Sequence, residues 1–189
     1  MTRSIYFLPG RGAHLDGRLG SELSARGYSV TGRSLHDGFD QLRFSLQVQQ
    51  IQRDLKEGHW SADSILVAHS YGAHLALSAL CELQPFPGTL ALISPVFRSV
   101  REGFNYFRVP NAKYLANKID SGQFPKPQGR VGVVSGTLDW QVPTEGLKRL
   151  GLCLGAEILW VNLGHDLGSG PVQELLDSLG IKKSGPGDE

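Results

Sequence analysis

Apolar residues along this chain alternate between two rhythms, short continuous runs and longer stretches that repeat every three to four positions. The runs cover 4–8, 28–35, 64–68, 89–94, 130–135 and 157–163, most of them bounded by Gly or Pro. Continuous apolar runs of that length read as strands buried on both faces. Between them, Leu15, Leu19 and Leu23 predict a helix over 16–26 closed by Gly27. Phe44, Val48, Ile51 and Leu55 predict a long amphipathic helix over 41–57 ended by Gly58, with Arg53, Asp54, Lys56 and Glu57 on its solvated face. A Leu/Ala-rich helix follows Tyr71, and a closing helix spans 171–179, with Pro171 in its first turn and Val172, Leu175, Leu176 and Leu179 on one face. Strands separated by helical stretches predict an α/β fold, an open, mainly parallel twisted sheet of about six strands with helices on both faces.

One stretch breaks the alternation. From 96 to 129 no strand pattern is visible, aromatics crowd in (Phe97, Phe104, Tyr106, Phe107, Tyr114, Phe124), and Pro110, Pro125 and Pro127 punctuate the chain. Two readings compete. The segment is a small lid over the functional crevice, with Phe104 and Phe107 contacting substrate, or it is an ordinary crossover helix over 113–119 whose aromatics enter the core. The remainder reads as a single domain over 1–181, followed by a flexible tail at 182–189.

Composition removes several function classes. The 189 residues carry a formal net charge of +1 with mixed signs throughout, so nucleic acid is not an expected partner. Cys81 and Cys153 stand in no metal or redox motif, and no metal or cofactor is expected. The apolar run at 4–8 is too short for a secretory signal or a membrane span, so no membrane partner and a cytoplasmic location are expected.

The candidate chemistry sits where the run at 64–68 turns into the Leu/Ala helix: Ala68-His69-Ser70-Tyr71-Gly72. A serine at a strand-to-helix corner has its hydroxyl at the carboxyl edge of the sheet, beside the first free N–H groups of the helix. Small residues two positions away on each side allow the two backbones to meet. Alone, Ser70 could also be a plain helix N-cap. The other glycine-rich loop, Pro9-Gly10-Arg11-Gly12, ends the first strand. Leu15 follows where a dinucleotide fingerprint needs its third glycine, and no Gly-Lys-Ser/Thr is present, so neither phosphate-binding motif fits.

Ala68-His69-Ser70-Tyr71-Gly72 resembles the nucleophile elbow of the α/β-hydrolase family, Gly-x-Ser-x-Gly, with Ala68 in place of the first glycine. The resemblance extends over nearly the whole chain and implies that fold in a trimmed form, without its leading antiparallel strands and with the strands in the order 2-1-3-4-5-6. The loop after strand one then matches the family's oxyanion loop, Pro9 standing where a histidine is usual. Its donors would be the backbone N–H groups of Arg11 and Tyr71, with Gly10 and Gly12 letting the loop bend; a plain tight turn is the alternative.

In that family the triad runs Ser, Asp/Glu, His. Gly136-Thr137-Leu138-Asp139-Trp140-Gln141-Val142-Pro143 resembles its acid loop, and Gly164-His165 after the last strand resembles its histidine loop. Asp139 thus matches the acid and His165 the base, each in a loop at a strand's carboxyl end. Taken singly, Asp139 could cap the next helix and His165 could be an ordinary loop histidine; order and position together favour the triad. Asp166 adjoins the base too closely to orient it. His69 is expected to face away from the serine, His74 lies one turn into the elbow helix, His36 and His59 look like surface residues, and His14 could reach the pocket. The resemblance implies a metal-free serine hydrolase cleaving a small-molecule ester or thioester. A hydrolase-fold binding protein without turnover and an acyltransferase using the same triad are the alternatives.

Overall fold

The computed structural model describes residues 3–36 and 38–183; 184–189, most of the segment expected as a tail, lie outside them. In chain order the elements are β1 (Ser4–Leu8), α1 (Arg18–Ala25), β2 (Ser29–Gly32), α2 (Phe44–Gly58), β3 (Ile65–His69), α3 (Tyr71–Leu80) and β4 (Thr89–Ile93). They continue with β5 (Val100–Glu102), β6 (Asn105–Phe107), α4 (Ala112–Asp120), β7 (Val131–Gly136), α5 (Thr144–Leu154), β8 (Glu157–Val161) and α6 (Ser169–Ser178). The main sheet has the order β2-β1-β3-β4-β7-β8, with every neighbouring pair parallel. With the six long runs numbered in sequence, this is the order 2-1-3-4-5-6.

Pleating divides each strand between two cores. Tyr6, Leu8, Leu66, Ala68, Leu90, Leu92 and Val133 face one side, where they meet Ile51 and Leu55 of α2, the apolar residues of α3, Leu115 and Ile119 of α4, and Leu147, Leu150 and Leu154 of α5. The alternate residues Ile5, Phe7, Ile65, Val67, Ala91, Ile93 and Val134 meet Leu23 of α1 and Val172, Leu175 and Leu176 of α6 on the other side. Both faces are thus covered, as a parallel sheet requires. Arg26, 3 % exposed, ties the end of α1 to α6 through Asp177 Oδ1 and the Ile181 carbonyl, each at 2.6 Å. No helix among the described residues is long and apolar enough to cross a membrane.

The segment 96–129 departs from expectation. It contains a two-stranded antiparallel hairpin, β5 with β6, pairing Val100 with Phe107 and Glu102 with Asn105 around Gly103 at φ 58°. Strands of three residues, largely exposed, carry too short an alternation to be visible in the sequence. The helix expected over 113–119 is present as α4. Boundaries shift elsewhere: α2 begins at Phe44, after Arg43 in an extended conformation, and β2 stops at Gly32, whose φ of 132° carries the chain out of the strand.

Candidate active site

The elbow is built by backbone contact. β3 ends at His69, Ser70 takes φ 53° and ψ −120°, and α3 starts at Tyr71. A non-glycine residue in that region stores about 1–3 kcal/mol of strain, sustained only where the surroundings fix it. They do so here: a β-carbon at Gly72 would lie 2.3 Å from the carbonyl oxygens of both Leu8 and Pro9, so the start of α3 rests directly on the end of β1. Ala68, by contrast, is accommodated in the core with no exposure. Ser70 occupies the N-cap position, yet its side chain makes no capping hydrogen bond.

Its hydroxyl instead lies 2.7 Å from Nε2 of His165. His165 Nδ1 is 2.6 Å from Oδ2 of Asp139, whose other oxygen accepts the Gln141 N–H at 2.9 Å. A carboxylate on Nδ1 keeps the proton there, which leaves Nε2 as the acceptor for the Ser70 hydroxyl. The Asp139 side chain is fully buried and that of His165 is 23 % exposed, so the chain of hydrogen bonds runs from the interior to the crevice. Asp139 caps no helix, since α5 begins after Pro143 without a side-chain cap. Asp166 points elsewhere, to Arg18 at 2.9 Å.

Three strand ends supply these groups, and close approach sets their relation. A β-carbon on Gly136 would lie 2.1 Å from the Leu163 carbonyl oxygen and 2.4 Å from that of Gly164, so the β7 end and the histidine loop touch. Ser94, fully buried at φ 42° just beyond β4, donates its hydroxyl to the His165 carbonyl at 2.9 Å. Sequence reasoning did not find Ser94; its signal was a hydroxyl residue at the carboxyl end of the strand next to the elbow strand.

The glycine loop borders the serine. A β-carbon on Gly10 would sit 3.5 Å from Ser70 Cβ and 3.2 Å from His69 Nδ1. Gly12 and Ala13 donate their N–H groups to Leu35 and Gly10 carbonyls, whereas those of Arg11 and of Tyr71, in the first turn of α3, have no acceptor among the described residues. The Arg11 guanidinium lies over the Tyr71 ring at 4.4 Å and the Phe107 ring at 5.4 Å. Burial raises the Tyr71 phenol pKa, and Arg11 opposes that rise through its charge and a hydrogen bond.

The other expected contacts divide. Phe107 is half-buried against Arg11, but Phe104, at the hairpin turn, is fully exposed at 105 %. His14 packs its ring against His36 at 4.4 Å. His69 does not face away from the site: its ring stacks on that of His165 at 6.0 Å. Burial, then the neighbouring His165 charge, pushes its pKa down to about 4, so it stays neutral near pH 7. His74 is fully buried between Phe44 and Tyr71, with Nε2 2.7 Å from the Pro110 carbonyl. Among the described residues no group of three or more His, Cys, Asp and Glu could hold a metal ion.

No model of a known protein family matches the chain, and no curated protein matches it in sequence. Solved structures do match. The ydeN gene product from B. subtilis shares 20 % identity, with 96 % of this chain and all of that one aligned at a TM-score of 0.64. The monoacylglycerol lipase of Paleococcus ferrophilus shares 16 %, covering 97 % of this chain and 96 % of that one at 0.69. The Bacillus cereus carboxylesterase shares 19 %, covering 95 % and 88 % at 0.56. At such identities the likeness speaks to architecture, and it agrees with the strand order and the elbow: the fold of this chain is that of the α/β-hydrolases.

Proposed function

We propose that this chain is a serine hydrolase that cleaves esters or thioesters through an acyl-enzyme on Ser70. The observation that carries the reading is the unbroken hydrogen-bonded path from Ser70 Oγ through His165 to buried Asp139. Ser70 Oγ attacks the acyl carbonyl while His165 Nε2 takes the hydroxyl proton, and Asp139 holds the imidazolium that forms. The N–H groups of Tyr71 and Arg11 face the developing oxyanion. Collapse expels the alkoxide or thiolate, which receives the proton from Nε2. Water then attacks the acyl-serine, gives its proton to Nε2, and releases the acid with Ser70 restored.

In this reading residues 1–181 work as one domain located in the cytoplasm, and 96–129 serve as a small lid, since the hairpin returns Phe107 to the loop beside Ser70. The lipase and carboxylesterase among the structural relatives favour esters as the substrate class. Hydrolysis of nitrophenyl and acyl-thiol esters by the wild type and Ser70→Ala tests the proposal. Turnover should fall by about 10³-fold or more in the variant. Equal turnover would overturn it, and ester formation outpacing hydrolysis when an alcohol is added would identify an acyltransferase instead.

A further inference from the structure

We infer that the Arg11 guanidinium is a specificity determinant, and that the preferred substrate carries a carboxylate beside the scissile ester. The inference rests on the proposed hydrolase reading and adds the charge of its substrate. Arg11 follows Gly10, on which a built β-carbon would lie 3.5 Å from Ser70 Cβ. Its side chain folds back over Tyr71, the residue after Ser70, and over Phe107 of the hairpin. The cation therefore lies beside the residue that follows the serine, between α3 and the hairpin.

Five arginines, Arg18, Arg26, Arg33, Arg98 and Arg149, each lie within 4 Å of an aspartate, whereas no carboxylate pairs with Arg11 among the described residues; what sets Arg11 apart is that two aromatic rings hold it beside the residue after Ser70. Its partners are two aromatic rings. Aromatic faces hold a guanidinium in place without neutralising it or consuming most of its in-plane donors. What remains is an oriented fork of N–H donors with unbalanced charge next to the reacting centre, and its complement is a planar anion that accepts two parallel hydrogen bonds. A carboxylate has that shape.

Position decides what the charge can do. Arg11's backbone N–H is a proposed oxyanion donor, so its side chain leaves the chain within one residue of the reacting carbonyl. A carboxylate a few bonds from the ester would bridge that gap, on either the acyl or the alcohol side. Charge-assisted contacts of this kind contribute roughly tenfold to a hundredfold in selectivity. Because the guanidinium is exposed, added salt should weaken the preference.

The test compares matched esters in wild type, Arg11→Met and Arg11→Lys: 4-nitrophenyl valerate, mono-4-nitrophenyl glutarate for a carboxylate on the acyl side, and the valerate ester of 4-hydroxybenzoate for one on the alcohol side, read against phenyl valerate. The quantity read is the ratio of kcat/KM for the anionic and neutral members, which cancels any general effect of the substitution on turnover. One anionic arm should be favoured at least about tenfold in the wild type, lose that preference in Arg11→Met, and retain part of it in Arg11→Lys. A binding arm needs no turnover: on Ser70→Ala, the anionic member of one pair, monomethyl glutarate against methyl valerate or the valerate ester of 4-hydroxybenzoate against phenyl valerate, should bind more tightly, and adding Arg11→Met should erase the difference. Equal ratios in wild type and Arg11→Met on both arms, or equal binding within both ester pairs on Ser70→Ala, would overturn the inference. The hydrolase reading would be untouched by that result, since it stands or falls on loss of turnover in Ser70→Ala.

Discussion

Replacing Asp139 by asparagine exchanges one carboxylate oxygen for an NH₂ group, and the backbone decides which one. Oδ1 accepts the Gln141 N–H at 2.9 Å, so the asparagine must keep its oxygen there to avoid setting two donors against each other. Its NH₂ then faces His165 Nδ1, 2.6 Å away in the parent protein. Nδ1 must become the acceptor, the ring proton moves to Nε2, and Nε2 now donates to Ser70 Oγ instead of receiving its proton. The base is lost while the packing survives, because asparagine matches aspartate in size within a fully buried site. The expected fall in kcat/KM for a nitrophenyl ester is about 10⁴-fold, equivalent to about 5.5 kcal/mol of barrier. Asp166→Asn is the control: its carboxylate is 83 % exposed and paired with Arg18, and turnover should stay within about threefold of the parent. Thermal unfolding of both variants should remain close to that of the parent. A folded Asp139→Asn protein within tenfold of parental activity, or a larger loss in Asp166→Asn, would refute the reasoning.

Three further outcomes follow from the packing around the site. Burial holds His74 at a pKa of about 4 against its usual 6.5, so the unfolded chain binds its proton first; stability is complete above pH 6.5 and falls by about 3 kcal/mol as pH drops toward 4. Denaturant titrations across that window should show a shallower pH slope for His74→Gln, whose amide can still donate to the Pro110 carbonyl, and an unchanged slope would contradict the burial argument. Gly136→Ala should destabilise the fold by about 1–3 kcal/mol and depress turnover further by pushing on the histidine loop; a variant with parental melting temperature and activity would show that Leu163 and Gly164 yield freely. Phe107→Ala should change the acyl-chain preference along a series of nitrophenyl esters from acetate to palmitate while exposed Phe104→Ala does not, and the reverse result would place the substrate at the hairpin tip.

The strands and helices were legible because strands buried on both faces are continuous apolar runs, and helices covering them show their repeat; the strand order came from the resemblance to the α/β-hydrolases. Boundaries were less so: Gly32 and Arg43 end or delay elements through backbone conformations that no side-chain pattern announces. Ser70, Asp139 and His165 could be singled out because each sits in a local pattern at a strand end, and the structure brings their side chains together. Ser94 was invisible for the opposite reason, its one telling contact being with His165, 71 positions away. The same holds for the placement of the Arg11 side chain, whose ring partners come from α3 and β6, and for the orientation of His69, which depends on a loop that closes over it from β8. The β5–β6 hairpin hid because three exposed residues per strand carry no readable period.

The central claim is that Ser70 carries an activated hydroxyl. Labelling the intact protein with a fluorophosphonate and measuring its mass, with peptide mapping of the product, tests this directly, since the reagent phosphonylates a serine only where a base takes its proton and donors receive the oxyanion. The account predicts one adduct per chain, on Ser70 alone, absent from Ser70→Ala and slowed in Asp139→Asn. An adduct of equal yield on the wild type and on Ser70→Ala would contradict it.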